Sequence, residues 1–118
     1  QEFAHRRGDF AVVGAGALLT LGPDAHTIER AALVLVGVGM APHRPRATEA
    51  ALRGQPAVVA TFEAAAAAVA ESIEPADDAI APAAWRRRLA RTLVQRTLSQ
   101  AAARARSAQA VPSTEAAA

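Results

Sequence analysis

The 118-residue chain contains no cysteine, no lysine and no tyrosine, and its aromatic residues are one tryptophan and three phenylalanines. Without cysteine, disulfides, iron–sulfur ligation and thiolate zinc sites are excluded within the chain, and the composition fits a reducing cytoplasm. The scarcity of aromatics argues against recognition of nucleic acid by base stacking. All thirteen basic residues are arginine, and with the heavy use of alanine this reads as codon bias in a GC-rich genome. The net charge is only +2, a weak basis for nucleic-acid binding. No apolar run reaches the ~18–20 residues of a membrane span. The longest, Phe10 to Leu21, holds Gly14, Gly16 and Thr20 and stops at Gly22-Pro23. The opening residues do not read as a secretory signal, and the first is glutamine, so the expectation is a piece of a larger protein.

What is present fits one domain, large enough to bury roughly two thirds of its unfolded surface. The front third reads as strands. Phe10 to Leu21 and Ile28 to Val38 are apolar and β-branched, joined by a short polar loop, which predicts an antiparallel hairpin. Neither run alternates cleanly, so both faces are expected to be covered for much of their length. Pro42 and Pro45 impose an extended segment, read as a short third strand or an edge. The remainder reads as three helices. One spans Thr48 to Arg53 and stops at Gly54; the second starts at Val59 or Thr61 and ends at Ser72, with Phe62, Ala66, Val69 and Ile73 inward. The third runs from near Pro82 to about Ala105, with Trp85, Leu89, Leu93 and Leu98 facing the core. The expected fold is α+β, a three- to four-stranded antiparallel sheet packed against about three helices. Residues 1–105 form the domain and 106–118 a flexible tail.

Few motifs carry chemistry. Val12-Val13-Gly14-Ala15-Gly16 begins like a GxGxxG dinucleotide fingerprint, but the third glycine is Leu19. About five residues separate Gly16 from the next turn, too few for the helix that would hold a pyrophosphate. Glycines inside a strand are the favoured reading. Arg7-Gly8-Asp9 spells an adhesion tripeptide by coincidence. His5, His26 and His43 lack ligand spacing, so no metal site is assigned. Asp77-Asp78 reads as a solvated or capping pair before the last helix. Arg86-Arg87-Arg88 with Arg91 reads first as a solvated helix face, second as a subunit contact and last as a nucleic-acid site. No catalytic constellation is complete.

The order of several segments is similar to one family. These are Glu2-Phe3-Ala4-His5-Arg6-Arg7-Gly8-Asp9-Phe10-Ala11-Val12-Val13-Gly14, Ala17-Leu18-Leu19-Thr20-Leu21, Val36-Gly37-Val38-Gly39, Arg46-Ala47-Thr48-Glu49-Ala50 and Trp85-Arg86-Arg87 with Leu89-Ala90. Together they resemble the C-terminal domain of the FAD-binding, or medium, subunit of molybdenum hydroxylases, the group of carbon monoxide dehydrogenase and xanthine dehydrogenase. The resemblance implies an α+β sandwich beside a flavin. FAD would be held mainly by a preceding domain. Electrons would reach it from a molybdenum-pterin centre through two [2Fe–2S] clusters on partner subunits, the molybdenum large subunit and the iron–sulfur small subunit.

By position the charged turn would lie near the isoalloxazine ring, which makes Arg6, Arg7 and Asp9 the candidate cofactor-binding residues. A charge there would alter the energy of the reduced flavin. Their alternative role is to pair with one another or to cap the strand. Trp85 stands where the family often has tyrosine. The Met40 to Arg46 loop matches the family's proline-rich segment only within about two residues, so Arg44 and Arg46 receive no role. The chain is thus expected to be a component of an oxidoreductase and not catalytic alone, with no nucleic-acid partner. The competing reading is a dimerisation or docking module with no flavin role.

Overall fold

A computed structural model describes residues 2–4, 11–38, 42–73 and 83–110. Its elements are β1 (Glu2–Ala4), β2 (Ala11–Leu21), β3 (Ile28–Val36), α1 (Arg46–Leu52), α2 (Val59–Ser72) and α3 (Ala83–Ala110). The sheet is antiparallel with strand order β1-β2-β3. The hairpin and the α+β class match the expectation. Glu2–Ala4 was not expected as a strand; it pairs Phe3 with Val13 and Ala4 with Ala11.

The β2–β3 loop is held by Asp24. Its carboxylate accepts from the His26 and Thr27 amides at 3.0 and 2.9 Å and from the Thr27 hydroxyl at 2.7 Å. These bonds hold its pKa down to about 2. The segment predicted as a third strand makes a single bridge, with Leu35 and His43 exchanging amide–carbonyl bonds of 2.8 Å. Pro42 and Pro45 flank His43, and the missing amides prevent a longer ladder.

Alternation along the strands decides which face is buried. Val13, Ala15, Leu21, Leu33 and Leu35 enter the core, and α3 packs over β2 on that side. The opposite pairs Gly14–Val36, Gly16–Val34 and Leu18–Ala32 make up the other face. There Leu18 is 74% exposed, Val34 39% and Val36 42%. Among the described residues the expectation that both faces are covered is corrected: α2 and α3 lie on one side of the sheet and α1 at the β3 edge.

On α2 the inward residues are those expected: Phe62, Ala66 and Val69 are buried, with Ile73 just past its end. On α3 the buried stripe is Arg86, Ala90, Leu93, Val94, Thr97, Leu98, Ala101 and Ala102, while Trp85 and Leu89 lie at its margin. The helix also continues past Ala105 to Ala110. Its last turns are tied down: Arg106 Nε donates to Ala25 O at 3.1 Å, Arg106 Nη2 donates to Ala57 O, and Gln109 Nε2 donates to Leu21 O and Gly22 O at 3.1 Å each. α3 thus runs along β2 in the same direction, from the Gly37 end of the sheet to the hairpin loop.

Candidate functional site

Arg6, Arg7 and Asp9 lie outside the described residues, as do His5, Gly8, Gly39, Asp77 and Asp78. The structure does place the strands on either side of that run: β1 and the beginning of β2 are hydrogen-bonded neighbours. Gly14 and Gly16 sit within β2, paired to Val36 and Val34, so their amides belong to a ladder and not to a phosphate loop. A Cβ at Gly16 would stand 3.4 Å from the Val34 side chain, an ordinary contact between strands on the outer sheet face. The glycines of β2 thus offer no grip on a pyrophosphate. His26 lies in the hairpin loop and His43 at the β3 edge, and no three potential metal ligands come together among the described residues.

Beneath this end of the sheet lies Arg86, which the sequence placed on a solvated face. It is buried, and its Nη1 donates to Gly37 O at 2.9 Å. Gly37 has φ +80°, so the chain turns out of β3 there and presents its carbonyl to the helix. Arg87 is half-buried and donates to Ile73 O at 3.2 Å, whereas Arg88 and Arg91 are exposed. A helix turns ~100° per residue, so three consecutive arginines fan out to core, flank and solvent. The spacing of Arg86 to Ala90, Leu93 and Val94 was the signal available for finding it.

A second constellation lies where α1 meets the β3 edge. Glu49 is buried and accepts from the Leu33 amide at 2.8 Å. Arg44 grips both its carboxylate oxygens, with Nε–Oε2 3.1 Å, Nη2–Oε1 3.0 Å and Nη2–Oε2 3.0 Å. Burial pushes the Glu49 carboxyl up, but the Leu33 amide and the Arg44 guanidinium outweigh it and hold the group below the usual carboxylate range. Beside the pair a groove of about 630 Å³ opens along the outer sheet face, lined by Leu18, Ala32, Arg30, Arg46 and Arg53 among others. With Glu49 neutralised by Arg44, three guanidinium groups give the groove its positive charge.

Comparison with known proteins decides the family. Residues 1–101 match the CO dehydrogenase flavoprotein C-terminal domain. The chain belongs to this family. It is 32% identical over 105 residues, 89% of its length, to the 6-hydroxypseudooxynicotine dehydrogenase complex subunit alpha of Paenarthrobacter nicotinovorans. The fold is similar to quinoline 2-oxidoreductase from Pseudomonas putida 86, with TM-score 0.83 and 29% identity over 90% of this chain. It is also similar to carbon monoxide dehydrogenase from Hydrogenophaga pseudoflava, with TM-score 0.80 and 29% identity over 88% of this chain. The chain spans only 35% of the first of these relatives and 36% of each of the two structures. As a member of the family, it is the C-terminal domain of a molybdenum hydroxylase flavoprotein subunit. Among its described residues no helix is long and apolar enough to cross a membrane.

Proposed function

We propose that this domain forms one wall of the FAD site in a molybdenum hydroxylase, with Arg6, Arg7 and Asp9 beside the flavin and the preceding part of the subunit holding the dinucleotide. The observation that carries this reading is the family match over residues 1–101, which includes the Arg-Arg-Gly-Asp segment. The strand pairing on either side of that segment adds a rigid frame for it. FAD, when bound, supplies the electron-accepting chemistry, with the electrons originating at molybdenum and [2Fe–2S] centres on cytoplasmic partner subunits. The chain's own contribution is electrostatic and steric. A carboxylate at Asp9 disfavours negative charge on the reduced ring, a guanidinium at Arg7 favours it, and the strands exclude water from that side.

The test uses the full-length flavoprotein subunit carrying Asp9→Asn or Arg7→Ala. A unit charge ~6 Å away contributes about 1–3 kcal/mol at an effective dielectric near 20. For a two-electron couple, ~1.4 kcal/mol corresponds to about 30 mV. Asp9→Asn should therefore raise the flavin potential by tens of millivolts, and Arg7→Ala should lower it. Unchanged potentials and flavin content in both variants would refute the assignment.

A further inference from the structure

The outer face of the sheet is the largest unexplained feature. Leu18, Val34 and Val36 stand exposed side by side on β2 and β3, with Ala32 between them and the Cβ-less Gly14 and Gly16 flattening the surface. Strands this apolar on both faces are typical of a sheet covered on both sides. Here the described residues cover only one. The β3 edge is already closed by the His43 bridge, by Glu49 on the Leu33 amide, and by the mutual bonds of Ile28 with Gln55 and Gly54. An occupant must therefore lie on the face and cannot extend the sheet at β3.

We infer that this face is a docking surface for the part of the flavoprotein subunit that the chain does not span, through a patch on that part that is apolar at its centre and carboxylate-bearing at its rim. The inference rests on the family reading for the existence of that part, since the relatives are nearly three times as long as the match. Charge selects the chemistry. The apolar strip runs into the groove of Arg30, Arg46 and Arg53. The side chains of these three make no ion pair or hydrogen bond with the described residues, although Arg46 adds to the positive field that lowers Glu49; Arg44 is the arginine bonded to Glu49. Carboxylates facing them would gain bidentate bonds at the rim while leucine and valine are desolvated at the centre. A second copy docking by the same patch would set this basic rim against itself, and like charges across an interface are costly. A nucleic-acid backbone would meet the arginines but leave Leu18 without an apolar partner.

Because the chain lacks cysteine, single cysteines report accessibility directly. Leu18→Cys and Val34→Cys are labelled with N-ethylmaleimide in this chain alone, its fold first verified by circular dichroism and a cooperative thermal transition, and in the full-length flavoprotein subunit, with labelling at each position read by peptide mass. Val59→Cys, on an exposed part of α2, is the control. The expected result is labelling of both face positions at least about tenfold slower in the full-length subunit, because an interface core excludes water, with the control unchanged. Adding Arg46→Glu and Arg53→Glu should restore much of the lost reactivity. Equal labelling of Leu18→Cys in both settings overturns the inference. Protection that grows with the concentration of this chain alone assigns the face to a second copy and also overturns it, as does protection that appears only when the other subunits are added. Flavin content is measured in the same samples. Open face positions in a subunit whose flavin depends on Asp9 would sink the docking and spare the proposed function, and the converse result would do the opposite.

Discussion

Replacing Glu49 tests whether one buried carboxylate fastens α1 to the sheet edge. Glu49→Ala removes the acceptor of the Leu33 amide, a donor at a residue that is almost fully buried. A buried donor left without a partner costs about 1–3 kcal/mol. The same change frees Arg44, but its side chain is 44% exposed, so water replaces the lost bonds and that share is about 0–1 kcal/mol. The sum is ~1–4 kcal/mol, or roughly 4–16 °C in Tm for a domain of this size. Arg44→Ala leaves the Leu33 bond intact and should cost only about 1 kcal/mol.

The carboxyl is held below its ordinary pKa, so its contribution is complete above the unfolded range near ~4.3 and fades as pH falls through the lower folded value. The gap between wild type and Glu49→Ala should accordingly be constant from neutrality to about pH 5 and narrow below that. Urea denaturation across pH measures the gap, and hydrogen exchange at the Leu33 amide reports the bond itself. The reasoning is refuted if Arg44→Ala proves as damaging as Glu49→Ala, or if Leu33 stays protected without the carboxylate.

Three other substitutions probe separate links. Leu98 is fully buried in the α3 stripe, so Leu98→Ala should cost about 2–5 kcal/mol in chemical denaturation, whereas Leu18→Ser in this chain alone should stay within ~0.5 kcal/mol. Gly54 has φ +83° and open space where a Cβ would lie, so Gly54→Ala should cost about 1 kcal/mol from backbone strain alone; a neutral result would mean the turn relaxes. Thr97 is buried with no hydrogen-bond partner for its hydroxyl among the described residues, so Thr97→Val should raise stability by about 1 kcal/mol, and a loss on thermal unfolding would show that the hydroxyl is satisfied.

Much of the fold was legible because it rests on local chemistry. The hairpin follows from two β-branched runs around Gly22-Pro23-Asp24, and the inward face of α2 from the spacing of Phe62, Ala66, Val69 and Ile73. Gly54 marks the end of α1 because it adopts the left-handed conformation that suits glycine. The candidate site was less legible. Arg6, Arg7 and Asp9 came from resemblance, and the structure describes only the strands around them. Arg86 was missed because a run of three arginines reads as one charged patch until the helix phase relative to β2 is known. Glu49 was unremarkable in sequence, since its partner amide at Leu33 is sixteen residues away and meets it only when α1 folds back on β3.

The sequence alone determined what depends on neighbours in the chain. It set where the β2–β3 hairpin and the helices lie, the absence of thiol chemistry, and the segment order that marks the family. Tertiary structure decided what depends on which surfaces meet. It buried Arg86 and Glu49 against backbone groups distant in sequence, tied the end of α3 to the hairpin loop, and left Leu18, Val34 and Val36 on an open face. Hydropathy records that a residue prefers to be covered. Only the packing of the chain shows whether the cover comes from within.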